Sequence, residues 1–224
     1  MPPDTAAQPK RIFLVDDHPL VREWLTNLIN QHPDLKVCGE AENGPEAREK
    51  ILALRPDVAI VDIALKDSSG IELIKDLKQS CPEVAVLVLS MHEESHYAER
   101  ALRAGARGYI MKRETTRKVV AAIGQVLEGK LCISETIAAA MATQFVEGKT
   151  LASGSPVEQL SDRELEVFEL LGQGRTTRQI AESLRVSLKT VQAYCARIKE
   201  KLNLDSATEL LREAVRWHES THKG

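Results

Sequence analysis

Five side chains able to take part in phosphoryl or metal chemistry lie within two residues of the end of a short apolar run: Asp16, Asp17, Asp62, Ser90 and Lys112. If these runs are parallel strands of one sheet, their carboxyl ends meet along a common rim, where open α/β sheets bind ligands. The spacing therefore predicts one pocket that contains three carboxylates, a hydroxyl and an ammonium group.

Three carboxylates in one pocket repel one another, and a hard cation with oxygen ligands lowers that cost. Mg²⁺ is the natural candidate because it keeps several waters and needs only one or two carboxylates beside phosphate oxygens. A carboxylate next to such a cation can attack a phosphoryl group and form an acyl phosphate. Lys112 would then neutralise the phosphoryl oxygens, and Ser90 would donate a hydrogen bond to one of them.

The elements that must position these side chains are visible from Arg11 to about Glu128, where apolar runs alternate with amphipathic segments. The predicted strands are 12–15, 36–41, 58–61, 84–89 and 109–111, and the predicted helices are 20–30, 45–54, 71–80, 95–104 and 115–127. Four strands are continuously apolar and are expected in the middle of the sheet, whereas the mixed run 36–41 suits an edge. We predict an α/β fold with a flavodoxin-like, doubly wound, five-stranded parallel sheet.

The segments around this pocket resemble the receiver domain of response regulators. They are LVDDH at 14–18, DVAIVD at 57–62, LS at 89–90 and AGARGYIMK at 104–112. The resemblance implies that Asp62 accepts a phosphoryl group from a sensor histidine kinase. It also implies that Asp16 and Asp17, together with Asp62, hold Mg²⁺.

The same resemblance carries two further roles and two departures. The backbone carbonyl of Ala64 would complete the metal ligands. Ser90 and Tyr109 would form a switch pair, in which the hydroxyl moves toward the phosphate and the aromatic side chain follows it inward. The loop after Asp62 lacks the Met-Pro found in many receivers, and Arg113 stands where many have proline, so the loop geometry is not carried over.

The C-terminal part of the chain has no strand pattern and contains four predicted helices, 162–172, 176–184, 188–202 and 206–217. Ser161 and Glu164 form a capping-box pattern at the start of the first. The second and third, separated by residues 185–187, have the proportions of a helix-turn-helix. One face of the third helix is apolar, and the opposite face presents Lys189, Gln192, Ala193, Ala196 and Arg197.

Positive charge is concentrated on this helix pair. Between Arg175 and Lys201 seven Lys/Arg side chains are set against two Glu, which favours contact with phosphate. The segments LSDRE at 160–164, QIA at 179–181 and KTV at 189–191 resemble the LuxR-type helix-turn-helix, and with the receiver they resemble the NarL/FixJ subfamily. The DNA contacts predicted from the helix geometry and this resemblance are Lys189, Thr190, Gln192, Ala193, Tyr194, Ala196, Arg197 and Lys201.

Composition agrees with a two-domain globular protein. Hydrophobic residues make up 43% of the 224 and charged residues 28%, and the net charge of −3 argues against indiscriminate coating of nucleic acid. The predicted organisation is an N-terminal tail 1–10, a receiver 11–129, a linker 130–156 that includes a helix at 135–146, and a small all-α helix-turn-helix domain 157–220. No membrane span or signal peptide is recognisable, so we expect no membrane partner and a cytoplasmic location.

Together these patterns predict a response regulator transcription factor, not an enzyme. Phosphorylation of Asp62 by a sensor histidine kinase would control the formation of homodimers and the binding of double-stranded DNA. The last helix has Leu210, Leu211, Ala214 and Trp217 along one face. That face would either supply part of a dimer contact or cover the core of its own domain.

Three alternatives remain open at this point. An aspartyl-phosphate phosphatase of the haloacid-dehalogenase type would need a second acid two residues after its nucleophile, where this chain has Ala64. A receiver-like regulator that is never phosphorylated is opposed by the retained Asp17, Asp62, Ser90 and Lys112. A LuxR-type regulator that senses a small molecule would need a ligand-binding domain that the acidic pattern does not resemble.

Overall fold

A computed structural model of the protein describes residues 8–65, 68–91, 94–146 and 156–221. Residues 147–155 of the predicted linker and residues 1–7 of the predicted tail lie outside these ranges. The chain divides into two compact units, Met1–Thr143 and Gln144–Gly224.

The first unit is built on a five-stranded parallel sheet. Its strands are β1 (Lys10–Val15), β2 (Leu35–Ala41), β3 (Val58–Val61), β6 (Ala85–Ser90) and β7 (Gly108–Met111), and a small antiparallel hairpin is formed by β4 (Ala64–Leu65) and β5 (Ser68–Ser69). The strand order is β2-β1-β3-β6-β7, with parallel pairing throughout. The predicted doubly wound, five-stranded sheet is confirmed, and β2 lies at an edge as its mixed composition indicated.

The described part of this unit contains the helices α1 (Pro19–Asn30), α2 (Gly44–Leu54), α3 (Gly70–Ser80), α4 (Glu94–Ala104) and α5 (Thr116–Leu127). A further helix, α6 (Glu135–Val146), begins in it and ends beyond Thr143. The side chain of Asn43 accepts a hydrogen bond from the Glu46 amide and so caps the start of α2. After α4 and α5 the backbone turns at Gly105 and Gly129, with φ of 124° and 77°. These are left-handed conformations that glycine adopts at low cost, and they end the two helices.

The core of the unit explains why its central strands are continuously apolar. Alternate residues of the strands, among them Leu14 and Ile60, pack with Leu25 of α1 and with Val119 and Ile123 of α5. The strand residues between them are equally buried on the other side of the sheet. Both faces of the sheet are therefore covered, as parallel sheets require.

One sequence prediction about the sheet is wrong. The run 109–111 was expected in the middle, but β7 is the terminal strand of the order. Its outer edge is covered by the segment after α5, because the Tyr109 amide donates to the Cys132 carbonyl at 2.8 Å and the Cys132 amide donates to the Arg107 carbonyl at 2.9 Å. The strand is thus shielded like an interior strand, and its apolar composition reflects burial instead of its place in the order.

The second unit is helical in its described part. A 3₁₀ turn at Pro156–Gln159 precedes α7 (Asp162–Gly172), α8 (Thr177–Ser183), α9 (Leu188–Leu202) and α10 (Ala207–Thr221). The capping box of Ser161 and Glu164 is present, and Thr176 and Gln179 form a second one at α8. Arg185, with φ of 53°, makes the turn between α8 and α9.

The α10 helix covers the core of its own domain. Leu210 and Ala214 are buried, and the ring of Trp217 lies 5.7 Å from that of Phe168 on α7. A Cβ added at Gly172 would lie 2.5 Å from the Ala214 carbonyl oxygen, which shows how closely α7 and α10 approach. Of the predicted apolar face, Leu211 stays exposed.

Within the described ranges, no helix combines the length and the apolar composition needed to cross a membrane.

Candidate functional site

The predicted acidic pocket is assembled at the carboxyl end of the sheet. Asp16 and Asp17 follow β1, and Asp62 follows β3, which pairs with β1. All three aspartates are buried, at 3%, 8% and 3% exposure. One ligand atom from each of Asp16, Asp17, His18 and Asp62 lies within 4.8 Å of the others, so the carboxylates converge on one point.

Lys112 reaches this cluster from the end of β7. Its Nζ lies 2.6 Å from Oδ2 of Asp62 and 2.6 Å from Oδ2 of Asp16. Burial of the lysine opposes its charged form, but the negative charges of Asp62 and Asp16 outweigh that effect and raise the pKa of Lys112 above its usual range. The lysine therefore carries a fixed positive charge against two of the three acids.

The acidic loop after β1 is held by two residues that the sequence analysis did not single out. The backbone amide of His18 donates to Oδ1 of Asp16 at 2.9 Å, and its ring Nδ1 lies 2.7 Å from Oδ1 of Asp17. The guanidinium of Arg22 donates to the Asp16 carbonyl at 2.6 Å. The sequence could have indicated both residues. His18 directly follows Asp17, and Arg22 follows His18 at a spacing of four, which places the two near each other at the start of a helix.

The loop after Asp62 is shaped by a close backbone approach. The Ala64 amide lies 3.4 Å from Oδ1 of Asp62, at the start of the β4–β5 hairpin. The Gly70 amide donates to the Ile63 carbonyl at 2.8 Å. A Cβ at Gly70 would lie only 2.0 Å from the Asp62 carbonyl oxygen, so glycine is required there for reasons of space. Sequence reasoning missed the role of Gly70. The contact joins the start of α3 to the residues after β3, and no local sequence pattern indicates that these two segments touch.

The predicted switch pair lies on neighbouring strands. Ser90 is fully buried at the end of β6, and Tyr109 is 2% exposed on β7. The Lys112 amide donates to the Ser90 carbonyl at 2.8 Å, which ties the two strand ends together beside the pocket. Tyr109 therefore occupies an inward position in this structure.

The donor set of the pocket fits a hard divalent cation. Buried carboxylates of three aspartates repel one another, and Lys112 lies at ion-pair distance from Asp16 and Asp62. Carboxylate oxygens are the ligands that such cations prefer. The pocket can therefore hold a metal ion.

The second predicted site lies on α9. Six of its predicted DNA contacts are exposed: Lys189, Gln192, Ala193, Ala196, Arg197 and Lys201. Thr190 and Tyr194 are partly buried, and Val191 and Ile198 on the opposite face are fully buried. The helix thus presents the predicted polar face to the outside and packs by its apolar face.

Lys201 is placed differently from the other predicted contacts. Its Nζ lies 2.6 Å from a carboxylate oxygen of Glu164 and 3.1 Å from the Gln159 carbonyl. Although burial of Glu164 opposes its ionisation, the hydrogen bonds from Lys201 and Ser161 lower its pKa below the usual range. Lys201 therefore joins the end of α9 to the start of α7 within the domain.

Comparison with known proteins decides the family. Residues 12–124 match the family model described as response regulator receiver domain, and residues 158–214 match the one described as bacterial regulatory proteins, luxR family. The chain is 34% identical over 211 residues to the oxygen regulatory protein NreC of Staphylococcus epidermidis, covering 92% of this chain and 97% of that protein. The chain belongs to the response regulator family.

Solved structures give the same result for this response regulator. A two-component response regulator of the LuxR family from Aurantimonas sp. SI85-9A1 is 35% identical and superposes with a TM-score of 0.57, covering 62% of this chain and 99% of that one. The response regulator ChrA of a heme-sensing two-component system is 29% identical, with a TM-score of 0.50 and coverage of 94% and 98%.

The family fixes the class of function. This protein is a response regulator transcription factor with a receiver domain and a LuxR-type DNA-binding domain. Its partner classes are therefore a sensor histidine kinase and double-stranded DNA. The relatives are regulators and not phosphatases, which supports the prediction that the chain is not an enzyme.

Proposed function

We propose that this response regulator is phosphorylated on Asp62 and that Mg²⁺ is held by Asp16, Asp17 and Asp62 with the carbonyl of Ala64. The observation that carries the proposal is the convergence of three buried carboxylates on one point, with Lys112 2.6 Å from Asp62. Phosphorylation then controls dimerisation and DNA binding.

The residues of the pocket divide the chemistry among them. Asp62 acts as the nucleophile, because its carboxylate can form an acyl phosphate with a phosphoryl donor. When bound, Mg²⁺ offsets the negative charge of the acids and of the incoming phosphoryl group. Asp16 and Asp17 hold the ion, Lys112 turns from the acids toward the phosphoryl oxygens, and Ser90 donates a hydrogen bond to one of them.

The switch couples this chemistry to association. Tyr109 is buried in this structure, and Ser90 lies one strand away from it. We propose that phosphorylation stabilises the inward position of Tyr109. This changes the surface near α4 and β7, and the changed surface biases a pre-existing equilibrium between monomers and dimers toward dimers. Two copies then bring two α9 helices to two half-sites.

The α9 surface supports weak binding by one copy and tighter binding by two. Gln192, Ala193 and Ala196 offer few charge-assisted contacts to bases, while Lys189 and Arg197 suit phosphate contacts. Specific regulators bind their sites about 10³ to 10⁷ times more tightly than random DNA, and doubling the contacts is the usual route to such ratios.

The proposal includes the organisation of the chain. We assign residues 11–129 to the receiver, 130–156 to a linker and 157–220 to the DNA-binding domain, after an N-terminal tail, 1–10. We place the protein in the cytoplasm, because its DNA partner lies there and a sensor histidine kinase must transfer its phosphoryl group to a protein on that side of the membrane.

The experiment is labelling of the full chain with acetyl phosphate in Mg²⁺, followed by intact mass measurement. Wild type gains one phosphoryl group, and Asp62→Asn gains none. Asp57→Asn is the matched control, because Asp57 stands at the other end of the same strand and pairs with Lys10. Chelator stops the labelling because it removes the cation, and Asp17→Ala slows it because the cation is held more weakly. Full labelling of Asp62→Asn would overturn the assignment.

A further inference from the structure

His18 brings a nitrogen donor to a pocket whose other side-chain donors are carboxylates. Its ring Nδ1 lies 2.7 Å from Oδ1 of Asp17 and 3.1 Å from Oδ1 of Asp16. The same side chain belongs to the group of four whose ligand atoms lie within 4.8 Å of one another. It is half exposed, at 50%, whereas the acids beside it are buried. His18 thus forms the outer wall of the pocket.

These separations match those between ligands of a single ion. Around an octahedral ion with ligands at about 2.1 Å, neighbouring ligand atoms are about 3.0 Å apart and opposite ones about 4.2 Å apart. The distances from Nδ1 to the two acids, 2.7 Å and 3.1 Å, bracket the neighbouring separation. An ion could therefore take the place of the hydrogen-bonding proton on Nδ1 with only small movements.

We propose that His18 is a further ligand of the metal site in the acidic pocket, and that its nitrogen makes the site prefer first-row transition ions such as Mn²⁺ to Mg²⁺. The inference rests on the proposed function, because it takes the acidic cluster to be a metal site. Its chemical basis is that Mg²⁺ favours oxygen ligands, whereas transition ions accept imidazole and bind it more tightly along the series that begins with Mn²⁺.

The backbone holds the imidazole in place. His18 precedes Pro19, which disfavours helical backbone at His18, and the residue adopts an extended conformation with φ of −97° and ψ of 109°. Its amide is bound to Oδ1 of Asp16 at 2.9 Å. The residue is therefore fixed to one of the acids by its backbone, which reduces the freedom that ligation would cost.

The test uses the full chain with histidines labelled with ¹⁵N and Mn²⁺ as the probe. Electron spin-echo modulation detects a ¹⁵N nucleus that is directly bonded to Mn²⁺. Wild type should show this coupling, His18→Ala should lose it, and His32→Ala should keep it, because His32 lies beyond the other end of α1. In competition titrations the preference for Mn²⁺ over Mg²⁺ should fall at least about tenfold in His18→Ala, the size of effect seen when groups that support a metal are removed.

The outcomes separate this inference from the proposed function. If wild type binds Mn²⁺ and Mg²⁺ at the pocket without ¹⁵N coupling, or with a preference that His18→Ala leaves unchanged, the role of His18 is wrong and the acidic metal site stands. If wild type binds neither ion, both proposals fail. The ¹⁵N coupling measured on wild type remains informative even if His18→Ala does not fold. Loss of the coupling in His32→Ala would assign the bound nitrogen to His32 and overturn the inference.

Discussion

The amino group of Lys112 lies 2.6 Å from a carboxylate oxygen of Asp62, across the pocket at the end of the sheet. The side chains are 7% and 4% exposed, so little water screens the pair. In the absence of a phosphoryl group, the lysine is thus the fixed cation that offsets the acids.

Replacing this cation should destabilise the receiver when metal is absent. In chelator, Lys112→Met should lower the free energy of unfolding by about 3 kcal/mol, because removal of one partner leaves buried carboxylates unpaired. Mg²⁺ should restore more stability to the variant than it adds to wild type, since the ion supplies the missing charge. Urea unfolding followed by Trp24 fluorescence in a Trp217→Phe background measures both effects.

Lys112→Arg, which keeps the positive charge, serves as the control and should lose less unfolding free energy than Lys112→Met. Equal stability of Lys112→Met and wild type in chelator would show that the ion pair does not offset the repulsion among the acids.

A methyl group at Gly70 should impair phosphorylation without touching a reacting group. The added Cβ would lie 2.0 Å from the Asp62 carbonyl oxygen and 2.8 Å from the Ile63 Cα, so the loop that carries Asp62 must shift. A displacement of about 1 Å can cost a reaction up to about 100-fold. We expect Gly70→Ala to label with acetyl phosphate at least about tenfold more slowly.

The matched control is Gly124→Ala in α5, where an added Cβ meets nothing within 4 Å. That variant should label at the wild-type rate and gain up to about 1 kcal/mol of stability from helix propensity. A normal labelling rate for Gly70→Ala would contradict the proposed role of the close approach.

Local sequence patterns predicted what depends on neighbouring residues. The strands, the capping box at Ser161 and the ends of the predicted helices 95–104 and 115–127 are of this kind, because each depends on burial or backbone conformation within a few residues. The convergence of Asp16, Asp17 and Asp62 also followed, since parallel strands bring their carboxyl ends to one rim.

Contacts between distant segments could not be predicted in this way. The shielding of β7 at the edge of the sheet depends on Cys132, more than twenty residues along the chain from Tyr109. Lys201 carries the charge expected of a DNA contact, but its partner Glu164 belongs to another helix. The local sequence pattern indicates whether a side chain is charged or buried, whereas the tertiary fold determines which distant residue it contacts.

The Glu164–Lys201 pair should make the stability of the DNA-binding domain depend on pH. The pKa of Glu164 is lowered from 4.5 in the folded domain, because the hydrogen bonds from Lys201 and Ser161 outweigh the cost of burial. A lowered pKa adds stability that is fully present above the unfolded pKa and is lost as the pH falls through the folded pKa.

We therefore expect the unfolding free energy of this domain to fall below about pH 4.5, and to fall less steeply in Glu164→Gln. Urea unfolding monitored by Trp217 fluorescence in a Trp24→Phe background reports on this domain alone. If the unfolding free energy of Glu164→Gln fell with pH as steeply as that of wild type, the Glu164–Lys201 pair would not be the source of the pH dependence.

Lys189 and Lys201 should separate DNA contact from domain stability. Lys189→Ala should weaken binding to all DNA sequences and reduce the slope of log affinity against log salt by about 1, because one phosphate contact is lost. Lys201→Ala should lower the unfolding free energy of the domain, because Glu164 loses its partner. Salt titrations of DNA binding and urea unfolding give the two readouts, and exchanged phenotypes would show that the assignments are reversed.

The most direct test of the account is a DNA titration of the full chain with and without acetyl phosphate, on fragments selected from the genome that encodes it, with association followed by sedimentation. Wild type should bind a two-half-site fragment more tightly when phosphorylated, and as a dimer, while Asp62→Asn should bind equally weakly in both conditions. The account is contradicted if Asp62→Asn responds to the donor as wild type does, or if phosphorylated wild type binds that fragment tightly while remaining a monomer.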